Sequence, residues 1–211
     1  MKRMVVAITG ASGAIYGVRA LEVLRAMDDM EVHLVISPSA ARTLREETDF
    51  TIEDVRGLAH AAHDHKNIGA SIASGSFKTE GMIVAPCSVK TLSGIANCYD
   101  EDLVIRAADV CLKERRRVVL LFRETPLHAG HISLMDQATR MGAIVMPPTP
   151  SFYNRPTKID DIVNQSVGRL LDLFGLSNDL VSRWTGTSGR PEGARRTDDA
   201  RSAEPLARNG E

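Results

Sequence analysis

Residues 76–97 read SFKTEGMIVAPCSVKTLSGIAN, and the fold turns on how this stretch is parsed. A short apolar run, Met82–Ala85, stops at Pro86-Cys87 and gives way to Ser88-Val89-Lys90-Thr91, the opening of a helix. The same pattern stands at the amino end, where Val5-Val6-Ala7-Ile8 runs into Thr9-Gly10-Ala11-Ser12-Gly13-Ala14. Strand ends that feed helix N-termini are where open α/β sheets bind ligands, because free N–H groups and the helix dipole favour anions. Two such turns in one short chain suggest a single phosphorylated ligand lying across the sheet edge.

Outward from these turns the chain alternates strand and helix. Strands are expected at Met4–Thr9, Glu31–Ile36, Gly81–Ala85, Arg117–Phe122 and Ala143–Met146. Helices are expected at Ala14–Met27, Ser39–Glu47, Val89–Asn97, Leu103–Lys113, His128–Met141 and Ile159–Phe174. Residues 49–77 read as irregular and polar, with room for a short edge strand. The strands are short apolar runs without polar alternation, which suits a parallel sheet covered on both faces. The expected architecture is therefore a three-layer, doubly wound α/β fold.

The 211 residues suffice for one sizeable core. We expect a single domain over residues 1–185 and a polar, disordered tail over 186–211, where large apolar residues almost vanish. A formal net charge of -1 offers no electrostatic reason to expect nucleic acid or a membrane surface as partner. Cys87, Cys98 and Cys111 show no CxxC spacing, which fits a reducing cytoplasm better than a disulfide scaffold. Met1-Lys2-Arg3 and the run behind it read as a first strand and not as a signal peptide.

The glycine-rich turn Thr9–Gly17 resembles a dinucleotide fingerprint, yet nicotinamide chemistry fits poorly. Ser37 stands where an acid would hold the adenosine ribose, and none of Tyr16, Tyr99 and Tyr153 has Lys four residues on. Ser12, Ser37, Ser88 and Thr91 can each either cap a helix or touch a ligand. Arg123-Glu124 follows a buried strand, which favours a site role: Arg for phosphate, Glu for a proton. The loop Ser151–Pro156 either closes over a ligand or is a structural crossover. Arg169, mid-helix among apolar neighbours, either snorkels or reaches an anion. His60, His63 and His65 read as a solvated loop and not a metal site, and Cys87 as a small residue packed beneath a helix.

Taken together, TGASGAIYG at Thr9–Gly17, APCSVKTLSGIA at Ala85–Ala96, IRAADVCLKERR at Ile105–Arg116, LLFRETPLH at Leu120–His128 and PSFYNRP at Pro150–Pro156 resemble the flavin prenyltransferase (UbiX) family. The similarity spans about residues 3–184 and implies a Rossmann/flavodoxin-like FMN-binding fold. It implies transfer of the dimethylallyl group of dimethylallyl phosphate to N5 and C6 of reduced FMN, without a metal. The product, prenylated FMN, would serve a partner UbiD-type decarboxylase. By the same resemblance Gly10, Ala11, Ser12, Ser37, Ser88, Val89, Lys90, Thr91, Arg106 and Arg123 would meet FMN. Tyr153 and Arg169 would hold the donor phosphate with Lys113 nearby, Glu124 would handle a proton, and Glu47 and Trp184 would complete a closed site. A cytoplasmic homo-oligomer, a dodecamer with the flavin at a subunit junction, is also implied. Two other readings stay open, an FMN-binding accessory subunit without turnover and a flavin-dependent cysteine decarboxylase. The latter relies on a His near the first helix, and Ala14-Ile15-Tyr16-Gly17 supplies none.

Overall fold

The structure, a computed structural model, describes residues 1–181. Val6, Ala7 and Ile8 have no exposed surface, because their strand lies in the middle of a sheet covered on both faces. The strands are β1 (Lys2–Ile8), β2 (Met30–Ile36), β3 (Ala61–His63), β4 (Gly81–Cys87), β5 (Arg117–Phe122) and β6 (Ile144–Val145). Their spatial order is β3-β2-β1-β4-β5-β6, and every pair is parallel. The helices are α1 (Ala14–Arg25), α2 (Pro38–Glu47), α3 (Ile52–Gly57), α4 (Val89–Ala96), α5 (Leu103–Lys113), α6 (Ala129–Arg140) and α7 (Ile159–Asp172). This is the doubly wound α/β architecture expected, with the strand order of a Rossmann fold.

Side chains alternate across β1 with the strand period of two. Met4, Val6 and Ile8 join a core with Val18, Leu21 and Leu24 of α1 and Val167 and Leu170 of α7. Val5 and Ala7 join the opposite core with Leu92 of α4 and Leu103, Ala107 and Cys111 of α5. Truncating a fully buried residue such as Leu21 to Ala would cost roughly 2–5 kcal/mol.

The structure differs from the sequence expectation most in residues 49–77. α3 forms there because Thr51 and Asp54 make a reciprocal capping box. Its one buried side chain, Val55, reaches the α1 core. A three-residue edge strand does form and pairs with β2. The reading of His60, His63 and His65 as a solvated loop holds for exposed His60, whereas His63 and His65 are partly buried. His60 Nδ1 accepts from the Val32 N–H at 3.0 Å, His63 meets buried His33 at 2.9 Å, and His65 Nε2 lies 3.1 Å from Asp102. β4 runs two residues beyond Ala85, through Pro86-Cys87, with an irregular register after Val84. β6 shrinks to two residues. Expectations for Trp184 and for residues 186–211 lie outside the described residues.

The chain leaves β1 toward β2 and β3, then returns across β1 to β4, β5 and β6. The sheet order therefore reverses between β1 and β4, and the turns leaving these strands diverge around a crevice. Both turns chosen from the sequence border that crevice.

Candidate active site

Thr9, 1% exposed, stitches the two turns together. Its hydroxyl donates to the Pro86 carbonyl at 2.8 Å and accepts from the Ser88 N–H at 2.8 Å. The end of β1 and the start of α4 are thereby held at one hydrogen-bonded distance. Beside them opens a cavity of about 660 Å³, lined by Gly10, Ala11, Ser12, Ser37, Ser88, Val89, Lys90, Thr91, Arg123 and Glu124. Pro38, Ser39, His65, Lys66, Glu101, Asp102 and Val104 complete the lining. The volume lies within the roughly 300–1,000 Å³ usual for small-molecule sites.

At the α4 side, Ser88 is the N-cap and its hydroxyl accepts from Thr91 N at 3.3 Å. The two hydroxyls lie 3.1 Å apart at the mouth of an eight-residue helix. Lys90 adds a cation that pairs with Glu101 at 3.2 Å on the exposed rim. Ser37 caps α2 through Ala40 N at 3.1 Å and also lines the cavity.

The α1 side is built differently. Gly13 has φ +99°, a left-handed conformation that favours glycine, and a Cβ there would press on the Tyr16 ring. A Cβ on Gly10 would collide with Ser39, so the turn packs directly against α2. The carboxylate of Glu47, at the end of α2, accepts from Gly13 N at 2.8 Å and Ala14 N at 3.1 Å. Partial burial pushes this carboxyl up, but bonds from Ser12 and from the Gly13 and Ala14 N–H groups, together with nearby Arg123, hold it below its ordinary value. Ser12 therefore serves Glu47, and α1 has no side-chain cap of its own. The Gly13 and Ala14 N–H groups of this terminus thus bond a protein carboxylate, while Gly10, Ala11 and Ser12, the residues expected to meet the ligand, line the cavity.

Tyr16 lies against the same corner. Burial pushes its phenol up, opposed by a hydrogen bond with Ser166 of α7 and by the charge of Arg123. Cys87 is fully buried and burial drives its thiol far above the ordinary range, so it packs and does not react.

An anion-favouring terminus with two hydroxyls, a mid-size cavity and an Arg-Glu pair at β5 fit a phosphorylated cofactor such as FMN. A model of the Flavoprotein family matches residues 1–171. Flavin prenyltransferase UbiX of Escherichia coli K12 is 57% identical over 188 residues, 88% of this chain and all of that protein. The chain belongs to the flavin prenyltransferase family. A crystal structure of AnUbiX (PadA1) in complex with FMN and dimethylallyl pyrophosphate is 48% identical with TM-score 0.86, covering 88% of this chain and 98% of that one. A dodecameric FMN-dependent UbiX-like decarboxylase from E. coli O157:H7 is also 48% identical with TM-score 0.86, covering 87% and 100%.

Against the family set, nine of the residues expected to meet FMN line the cavity of their own chain: Gly10, Ala11, Ser12, Ser37, Ser88, Val89, Lys90, Thr91 and Arg123. Arg106 does not. It pairs with Asp100 and Asp109, each at 3.0 Å, and reaches the Ala73 carbonyl. Lys113 ends α5, about 15 Å by helical rise from the cavity-lining start of that helix, and pairs with Glu114 at 2.6 Å. Tyr153 stands in the 151–156 loop with its hydroxyl 2.9 Å from Gln165. Arg169, in α7, pairs with Asp172 at 2.7 Å and is half exposed. Among the described residues, no group of three or more His, Cys, Asp or Glu could hold a metal ion. The sequence reading did not single out Thr9, Tyr16 and Gln165 as site residues. A buried Thr at a strand end ahead of a glycine-rich turn was the only local signal for the first.

Proposed function

We propose that the protein is a flavin prenyltransferase that joins the dimethylallyl group of dimethylallyl phosphate to reduced FMN at N5 and C6. Its product is the cofactor of a partner UbiD-type decarboxylase. The observation that supports this reading is one cavity lined by both the N-terminus of α4 and Arg123, with Glu47 and Tyr16 close enough to Arg123 to feel its charge. Ser88, Thr91 and the α4 N–H groups would hold the cofactor phosphate. When bound, the flavin supplies an electron-rich ring that is alkylated.

The chain's own residues do the rest. Glu124, at the cavity wall, would take the proton from flavin N5 and return it to the departing phosphate. Cleaving the allylic C–O bond concentrates negative charge on that phosphate, and Arg169, Lys113 and the Tyr153 hydroxyl would stabilise it. Trp184 would face the allyl cation through its ring. Lys113 and Arg106 lie outside the cavity of their own chain, and a neighbouring copy in a homo-oligomer, a dodecamer by resemblance, would bring them to it. No helix among the described residues is long and apolar enough to cross a membrane.

The test is to incubate the protein anaerobically with reduced FMN and dimethylallyl phosphate and weigh the flavin. A mass gain of one C5 unit is expected. FMN bound tightly but unchanged, beside an active control enzyme, would make the protein an accessory flavin carrier instead.

A further inference from the structure

Gln165 is a polar side chain in a helix whose neighbouring positions, Val163 and Val167, belong to the core, and it is only 6% exposed. An amide so placed is costly unless both of its ends are bonded. Both ends are, and both reach the same loop. Asn154 Nδ2 donates to Gln165 Oε1 at 3.4 Å, which leaves Nε2 to donate to the Tyr153 hydroxyl oxygen at 2.9 Å. The loop itself, residues 151–156, contains no regular secondary structure, and Tyr153 is half exposed on it. Gln165 also stands four residues before Arg169, so the two share a face of α7 about 6 Å apart along the axis. The adjacent Ser166 bonds Tyr16, beside Arg123.

We infer that Gln165 is a positioning residue for the prenyl donor: it ties the 151–156 loop to α7 and sets the Tyr153 hydroxyl as a phosphate donor one helical turn from Arg169. This rests on the donor-phosphate role proposed above for Tyr153 and Arg169. The direction of the bond matters. The phenol oxygen accepts from an amide N–H that cannot accept in return, so this bond does not use the phenolic proton. A donor phosphate is acceptor-only and requires that proton. Gln165 touches neither the phosphate nor the flavin and acts through Tyr153.

The test compares wild type, Gln165→Met, Tyr153→Phe and the double variant. For Gln165→Met, the KM for dimethylallyl phosphate should rise about tenfold. Its kcat should fall by no more than that of Tyr153→Phe, because the hydroxyl also stabilises the departing phosphate, and its FMN affinity by fluorescence should stay within about twofold. Added to Tyr153→Phe, the same change should have no further effect on donor KM, because the residue it positions has already lost its hydroxyl. Hydrogen–deuterium exchange across 151–156 should rise in Gln165→Met while α1 and β1 keep their protection. Additive KM losses, or parallel falls in FMN affinity and melting temperature, would reduce Gln165 to a structural residue. Unchanged loop exchange would remove the tether altogether. Should the Met variant fail to fold, Gln165→Glu keeps the size but offers acceptors, and the same rise in donor KM is expected. If wild type transfers no C5 unit, the function proposed above falls, and loop exchange still decides whether Gln165 positions Tyr153.

Discussion

The turns that open α1 and α4 look alike in sequence, each an apolar strand running into small residues and a helix, yet their anion sites are in opposite states. At α1 the Gly13 and Ala14 N–H groups are held by Glu47, 34 and 33 residues away in the chain. At α4 the cap is local, Ser88 to Thr91, and the terminus lines the cavity with its hydroxyls. A helix dipole attracts whatever anion the fold brings to it, and the α1 terminus holds a protein carboxylate while the α4 terminus faces the cavity. The proposed function accordingly gives the cofactor phosphate to α4 and proton handling to the Glu124 side, and this division is open to test.

The sharpest way to break that division is Glu124→Gln. Removing the carboxylate without removing a cation should slow prenylation by about a hundredfold or more and leave FMN affinity within about twofold. Equal losses of affinity and rate would place Glu124 in cofactor binding. The complementary change is Ser88→Ala with Thr91→Val, which strips both hydroxyls from the α4 mouth. FMN should bind about ten- to thirtyfold more weakly, while the rate at saturating FMN stays close to wild type. A rate defect that saturation does not cure would mean that α4 also serves the chemistry.

A smaller effect sharpens the α1 half. The Glu47 carboxyl titrates below its ordinary 4.5 in the folded protein, so the ionised form favours the fold. That stabilisation is present above the ordinary value and drains away as the pH falls through the lower folded value. Glu47→Gln should therefore melt below wild type at pH 7, and the gap should close as the pH drops beneath 4.5. A gap independent of pH would show that the α1 terminus does not rely on that charge. The smallest effect expected is from deleting residues 187–211, whose composition offers no apolar face to bury. Melting temperature and turnover should match the full chain in thermal and steady-state assays, and a clear drop in either would give that segment a role.

Particular residues show where sequence reading succeeds and stops. α5 and β5 match their expected bounds, Leu103–Lys113 and Arg117–Phe122, because apolar pattern and caps are local. α3 was missed although Thr51 and Asp54 signal it, since a six-residue helix with one buried residue has too little periodicity to read. The histidines at 60, 63 and 65 looked solvated because their partners, the Val32 backbone, His33 and Asp102, lie on other elements. Lys113 was identified by resemblance alone, and the fold sets it at the far end of α5 from the cavity.

By itself, the sequence determined the alternation of buried strands and amphipathic helices, the parallel three-layer sheet that follows from it, and the two turns where a ligand could sit. These depend on side-chain period, capping hydroxyls and glycine, all legible within a few residues. Only the tertiary structure decided which turn keeps an open terminus, that Thr9 locks the two turns together, and that Gln165 holds Tyr153. Those outcomes depend on single hydrogen bonds between residues far apart in sequence, Glu47 to Gly13 and Thr9 to Ser88. Such bonds form only once the sheet has brought their strands' ends together.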